Sequence, residues 1–313
     1  MGSQTMPKIP IVDFSKEELK PGTEAWFLTT KQVCHALEEH GCFIIECKDV
    51  SSDLHNTIFD DEKDLFDLPL EVKMKNTSEY PFRGFVSDGS FYESMNIEDA
   101  ASLESAEKFT NLMWPDGNGR FCENAHKIAS IMGRLNEMVI KMVFESYGVE
   151  KYFDSHVESI DYILRFSKYT KSEDNVVLPS HIDKSFSTIL YQNHVNGLEV
   201  QLKDEDWTVF DPSSHSSFIY VAGDVFKAWS NNRIQPCRHR VFKNSDEERY
   251  SLGLFAFQKK EIRVPDEFVD DEHPLKYKPF DHLDFLMTHL KQIYAQRANV
   301  EFPIEAYCGI QTP

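Results

Sequence analysis

The sequence predicts a mainly β fold with flanking helices (α+β), built on a sandwich or double-stranded barrel. Three observations carry this. From about residue 160 to residue 257, short β-rich runs follow one another, separated by turn residues. The first half instead carries apolar residues at the three- and four-residue spacing of helices. No low-complexity linker and no internal repeat interrupts the 313 residues, so the helices are expected to buttress one β core rather than form a separate unit.

In order, Lys8-Ile-Pro-Ile-Val-Asp-Phe14 reads as an extended opening. Residues 24–39 form a helix with Trp26, Val33 and Leu37 on one side, stopped by Gly41. Cys42-Phe-Ile-Ile-Glu-Cys47 is a buried strand. A charged helix over 54–68 ends before Pro69, with a short helical turn over 71–75. Residues 80–92, rich in Phe and Gly, read as a loop. Ile128, Ile131, Met132, Leu135, Val139, Met142 and Val143 mark a long amphipathic helix over 126–147. Seven strands follow, at 162–166, 187–191, 197–202, 207–210, 217–221, 239–242 and 250–257, and a last amphipathic helix covers about 280–297. The segmentation is therefore a mainly helical portion over 1–155, a β core over 156–264 and a helical segment over 265–313.

Lys and Arg number 33 against 52 Asp and Glu, a formal charge of −19. Such a chain has no basic patch for phosphate neutralisation, so nucleic acid is not an expected partner, and anionic membrane surfaces repel it. No stretch approaches the roughly 18 apolar residues of a spanning helix. The start, Met-Gly-Ser-Gln-Thr-Met-Pro, lacks a secretory pattern, Met6 breaks a myristoylation motif at Gly2, and Cys308 lies too far from the end for prenylation. Six scattered cysteines without CxxC spacing read as reduced thiols, and a cytoplasmic location is expected.

Ten of the twelve histidines read as structural, His282 and His289 among them. His181 and His239 have company. In His181-Ile182-Asp183, positions i and i+2 of extended backbone point an imidazole and a carboxylate together, and His239 lies in a strand of the same β region. Two histidines and one carboxylate form the ligand set of mononuclear non-haem iron(II). Ten residues past His239, Arg249-Tyr250-Ser251 offers a guanidinium and a hydroxyl on one face, suited to clamping the distal carboxylate of a dicarboxylate.

These motifs resemble the HxD…H…RxS signature of the plant 2-oxoglutarate and iron(II)-dependent dioxygenases. Ile9-Pro-Ile-Val-Asp-Phe14, Gly41-Cys-Phe43, Gly197-Leu-Glu199 and Ala222-Gly-Asp224 extend the likeness over nearly the whole chain. His181-Ile-Asp-Lys-Ser185, Tyr92-Glu-Ser94 and Ala306-Tyr-Cys-Gly309 are most similar to the clade that includes the alkenyl- and hydroxyalkyl-producing glucosinolate dioxygenases. The resemblance implies a double-stranded β-helix (jelly-roll, cupin-like) core over 156–264. It makes His181, Asp183 and His239 the iron ligands and Arg249 with Ser251 the cosubstrate anchor. Phe255 aligns with a position that stacks on substrate in relatives, with core packing as the alternative. Where many relatives carry Asn-Tyr-Tyr-Pro, this chain reads Leu164-Arg-Phe-Ser-Lys-Tyr169, so either Tyr169 or Ser167 supplies the cosubstrate contact.

The implied reaction consumes O2 and 2-oxoglutarate, with ascorbate as reductant, releases succinate and CO2, and oxidises an unactivated C–H of a small specialised metabolite by hydroxylation, desaturation, epoxidation or ring closure. No protein general base and no obligate protein partner is required. Substrate choice is expected at the N-terminal helical portion, at the 80–92 loop, where Phe82, Phe85, Phe91 and Tyr92 cluster with packing against the core as the alternative, at the C-terminal helix and at the Trp114-Pro115-Asp116 rim. Two alternatives are an ascorbate-dependent oxidase of the same fold that uses no 2-oxoglutarate, and a non-catalytic small-molecule binding protein.

Overall fold

The computed structural model describes residues 8–172, 175–202, 207–212, 214–243, 245–296 and 302–310. Strand β1 (Ile11–Asp13) leads to helix α1 (Glu24–His40), which opens where the Thr23 hydroxyl accepts from the Trp26 N–H at 3.1 Å and closes where Gly41 takes a left-handed φ of 70°. Strand β2 (Cys42–Glu46) and helices α2 (Ser52–Phe66) and α3 (Leu70–Lys73) follow as expected from sequence. The 80–92 segment is not a loop throughout: it holds strand β3 (Val86–Ser87) and ends at the start of strand β4 (Tyr92–Glu98). Helix α4 (Leu103–Met113) is an addition to the sequence reading. Helix α5 (Gly119–Ser146) begins before residue 126, because the Asn118 side chain accepts from the Phe121 N–H and caps it there.

Helix α6 (Phe153–Glu158) precedes strands β5 (Ile160–Tyr169), β6 (Val176–His181), β7 (Ser187–Gln192), β8 (Leu198–Gln201), β9 (Trp207–Val209) and β10 (Ser217–Ala222). Helix α7 (Asp224–Trp229), strands β11 (Arg238–Phe242) and β12 (Arg249–Gln258), and helices α8 (His282–Gln296) and α9 (Ile304–Cys308) complete the order. Arg297, the expected end of the last long helix, lies outside the described residues. Among the described residues no helix is long and apolar enough to cross a membrane.

The strands form a main sheet in the order β1-β2-β10-β7-β12-β5-β4-β3 and a small sheet in the order β6-β11-β8-β9. Strands β1 to β4 come from residues before 156, so that portion extends the sheet as well as covering it. One face of the main sheet, with Leu164, Phe166, Leu252 and Leu254, joins the large core beneath α1, α2, α4 and α5. The other face meets the small sheet, through Ile44, Ile219, Leu198 and Val200 at one side and Tyr169, Val177 and Val241 at the other. Period-2 alternation thus sends Leu252 and Leu254 to the helices, while Arg249, Ser251 and Phe255 project between the sheets.

Candidate metal centre

Register brings the two histidines together. On the small sheet His239 of β11 is the direct antiparallel partner of His181 at the end of β6, and their ring centroids lie 4.3 Å apart. Asp183 follows two residues later, in the turn leading to β7. Its Oδ1 is 3.7 Å from His181 Nε2 and 3.8 Å from His239 Nε2, and the three ligand atoms all lie within 4.8 Å of one another.

Each ligand is turned to leave one lone pair inward. His181 Nδ1–H donates to the Pro179 carbonyl at 2.8 Å and His239 Nδ1–H to the Cys237 carbonyl at 3.2 Å. A carbonyl can only accept, so both rings carry a proton on Nδ1, and the neutral imidazole then has its lone pair on Nε2. Thr188 Oγ1 donates to Asp183 Oδ2 at 2.6 Å, leaving Oδ1 for the cluster. Burial, together with His239, pushes His181 down to about 4. Asp183 is held below its usual value: burial acts upward, against the positive charge that His239 and His181 carry when protonated, the Thr188 hydrogen bond and the Arg165 guanidinium. This donor set, nitrogen and oxygen with open sides, fits a divalent transition metal.

The HxD turn is held from beneath. Asp224 N–H donates to the Asp183 carbonyl at 2.9 Å, and the Asp224 carboxylate pairs with Lys184. A Cβ on Gly223 would sit 2.9 Å from the Asp183 carbonyl oxygen, which explains the glycine of Ala222-Gly-Asp224.

Arg249 and Ser251 project between the sheets from β12. Arg249 is buried; its Nη2 donates to Gln192 Oε1 at 2.9 Å, its Nη1 approaches Ser251 Oγ at 3.4 Å, and its Nε has no partner. Gln192 is fixed in turn by donating to Asn196 at 3.0 Å. No carboxylate pairs with this guanidinium among the described residues, and a buried unpaired cation is costly unless a ligand supplies the anion. The Arg249 guanidinium stacks 4.9 Å over the Tyr169 ring, and Tyr92 packs on the far side of Tyr169. Ser167 stands directly opposite Ser251, and both hydroxyls face the Tyr169 phenol. Below this row Glu62 of α2 accepts from the Ser167 N–H at 2.9 Å, and burial pushes its carboxyl well above the usual range.

A cavity of about 350 Å³ opens beside the metal ligands. Phe255 and Tyr92 line it, with Phe82, Arg165, and Leu286, His289 and Ile293 of α8. The aromatic loop therefore divides. Phe91 packs toward Tyr169, Val177 and Val241, away from the cavity wall, and Phe85 packs against the main core. Trp114, expected at the rim, instead sits 4.8 Å from Phe121 in the core. Arg165, Thr188, Gln192, Glu62 and His289 were not singled out from sequence.

A jelly-roll of two sheets enclosing a His-Asp-His cluster and a buried arginine defines a class, the non-haem iron oxygenases that use a 2-oxo acid. Comparison with known proteins agrees with the geometry. Residues 160–258 match the model of the 2OG-Fe(II) oxygenase superfamily, and residues 9–116 match that of the non-haem dioxygenase in morphine synthesis N-terminal. The "Probable 2-oxoglutarate-dependent dioxygenase AOP1" of Arabidopsis thaliana is 39% identical, covering 93% of this chain and 92% of the relative. The "2-oxoglutarate-dependent dioxygenase AOP3" of the same plant is 28% identical over 99% of both chains. The crystal structure of a rice dioxygenase for auxin oxidation superposes with a TM-score of 0.80 at 27% identity, covering 97% of this chain and 100% of that one. The chain belongs to the 2-oxoglutarate-dependent dioxygenases, iron-dependent oxidoreductases. Neither the oxidase that dispenses with 2-oxoglutarate nor the non-catalytic binding protein is favoured by these relatives.

Proposed function

We propose that His181, Asp183 and His239 hold iron(II), that Arg249 and Ser251 bind the far carboxylate of 2-oxoglutarate with Tyr169 packed beside them, and that the enzyme oxidises a C–H bond of a small specialised metabolite. The observation that carries this reading is the pairing of an inward-facing cluster of three lone-pair donors with a buried arginine that lacks a carboxylate partner.

Bound iron(II) supplies the dioxygen chemistry that oxidises the C–H bond while 2-oxoglutarate is split to succinate and CO2. The protein's part is orientation. Pro179 and Cys237 carbonyls fix the imidazole tautomers, Thr188 fixes the carboxylate, and Gln192 holds the Arg249 fork. Phe255 and Tyr92 give the substrate an apolar wall, and the 80–92 loop and α8 restrict water. In this reading residues 156–264 form the catalytic core, with 1–155 and 265–313 closing around it. Six buried, unpaired cysteines support a cytoplasmic setting. The reaction calls for no nucleic acid, membrane or obligate protein partner.

The test incubates the protein with Fe(II), ascorbate, O2, 2-oxoglutarate and a fractionated plant metabolite extract. Succinate release that depends on one fraction, paired with a product that gains one oxygen or loses two hydrogens, is the expected result. Product formation that is independent of 2-oxoglutarate would overturn it.

A further inference from the structure

Arg165 places a charge in the cavity beside the His-Asp-His cluster, and although it acts on Asp183 through space it forms no ion pair with it. Three charged side chains line the cavity: Asp183, Lys184 and Arg165. Asp183 belongs to the metal cluster and Lys184 is paired with Asp224. Arg165 has no ion pair among the described residues.

The side chain is also fixed. Its Nε donates to Asn96 Oδ1 at 3.0 Å and its Nη2 to the Phe82 carbonyl at 2.7 Å. Asn96 is itself held by donating to the Gly84 carbonyl at 2.9 Å, and Phe82 takes a positive φ of 62° in the same segment. The guanidinium lies 4.5 Å over the Phe255 ring, so one face is apolar. A guanidinium has five N–H donors; these two bonds leave three, spread over Nη1 and Nη2, the geometry that receives a planar carboxylate. Arg165 is therefore a preorganised fork on the substrate side, separate from Arg249, which is buried with Gln192 and Tyr169.

We infer that the substrate is an organic acid whose carboxylate is received by Arg165, with its apolar body against Phe255, Phe82 and α8. The inference deepens the proposed function and rests on it. The test uses the full-length protein loaded with Fe(II) and 2-oxoglutarate under argon, and measures by calorimetry the affinity for phenylacetate, 3-phenylpropionate and 4-phenylbutyrate and for their methyl esters. A single charge-assisted contact predicts that at least one acid binds about tenfold tighter than its ester. That preference should fall below about twofold in Arg165→Gln and be kept in part by Arg165→Lys, which retains the charge should the neutral variant fold poorly. Equal affinity for acids and esters in the unmodified protein overturns the inference. So does an acid preference that survives in Arg165→Gln while 2-oxoglutarate affinity drops, because Arg165 would then serve the metal centre. Failure of the unmodified protein to bind 2-oxoglutarate at all would remove the underlying reading, and the inference with it.

Discussion

A Cβ on Gly197 would lie 3.0 Å from Cδ and 3.4 Å from Nε of Arg249. The glycine is the space into which the arginine stem folds, and it accounts for the first position of Gly197-Leu-Glu199. Gly197→Ala should therefore shift the guanidinium by a few tenths of an ångström. Overpacking of this size costs about 1 kcal/mol, so the KM for 2-oxoglutarate should rise several-fold to tenfold with metal binding intact. An unchanged KM would show that Arg249 has room to spare.

Removing Arg249 itself has a larger effect. Arg249→Ala leaves a buried dianion end without its partner, and the 2-oxoglutarate KM should rise on the order of a hundredfold. Neutralising several surface carboxylates should lower that KM far less, because the −19 acts through screened solvent and the arginine acts at contact. Comparable changes from both sets of variants would contradict local capture.

At the metal cluster, Asp183→Ala and His239→Ala should each abolish turnover and lower metal stoichiometry while circular dichroism stays native. Substantial residual turnover in either variant would show that the ligand assignment is wrong.

Acid should weaken the fold through two buried histidines outside the metal cluster. The Gln258 N–H donates to His282 Nδ1 at 3.0 Å, and His282 Nε2–H donates to the Lys184 carbonyl at 2.7 Å, so the ring is neutral and ties β12 to the HxD turn. The Gln258 side-chain amide likewise donates to His156 Nε2 at 2.9 Å. Burial pushes His282 down to about 4 and His156 down to about 3, both from 6.5. Folded values below unfolded ones mean that the unfolded chain takes up these protons first. The stability is fully present above pH 6.5 and is lost as pH falls through the folded values. The melting temperature should be level above pH 7 and drop below about 6.5; His282→Asn should melt lower at pH 7.5 and fall less steeply. Parallel pH curves for the two proteins would refute the role of His282.

The His-Asp-His cluster was legible because a short motif carries two of its members, and β2, β7, β10 and β12 because each holds a run rich in apolar residues. Strand β4 was hidden. The loop expected from sequence stops at residue 92 and leaves residues 93–98 without an element, because the alternation of Ser94 and Asn96 with Met95 and Ile97 is too short a signal beside the Gly- and Ser-rich stretch before it. Strand β6 was masked by Pro179 and Ser180, tolerated because β6 is an edge of the small sheet. Arg165, Thr188 and Gln192 acquire meaning only from cross-strand pairing, which places Thr188 opposite Phe255 and Gln192 opposite Ser251. His282 lacks any local motif; its partners lie 24 and 98 residues away along the chain.

The two histidines stand on the small sheet, whereas Arg249 and Ser251 stand on the main sheet. The gap between the His-Asp-His cluster and Arg249 is thus set by how the two layers stack, through Val177, Val241 and Tyr169, and not by the reach of a flexible arm. Under the roles proposed for these residues, the fold would act as a ruler for chain length. A keto diacid one carbon shorter or longer than 2-oxoglutarate should therefore bind more weakly.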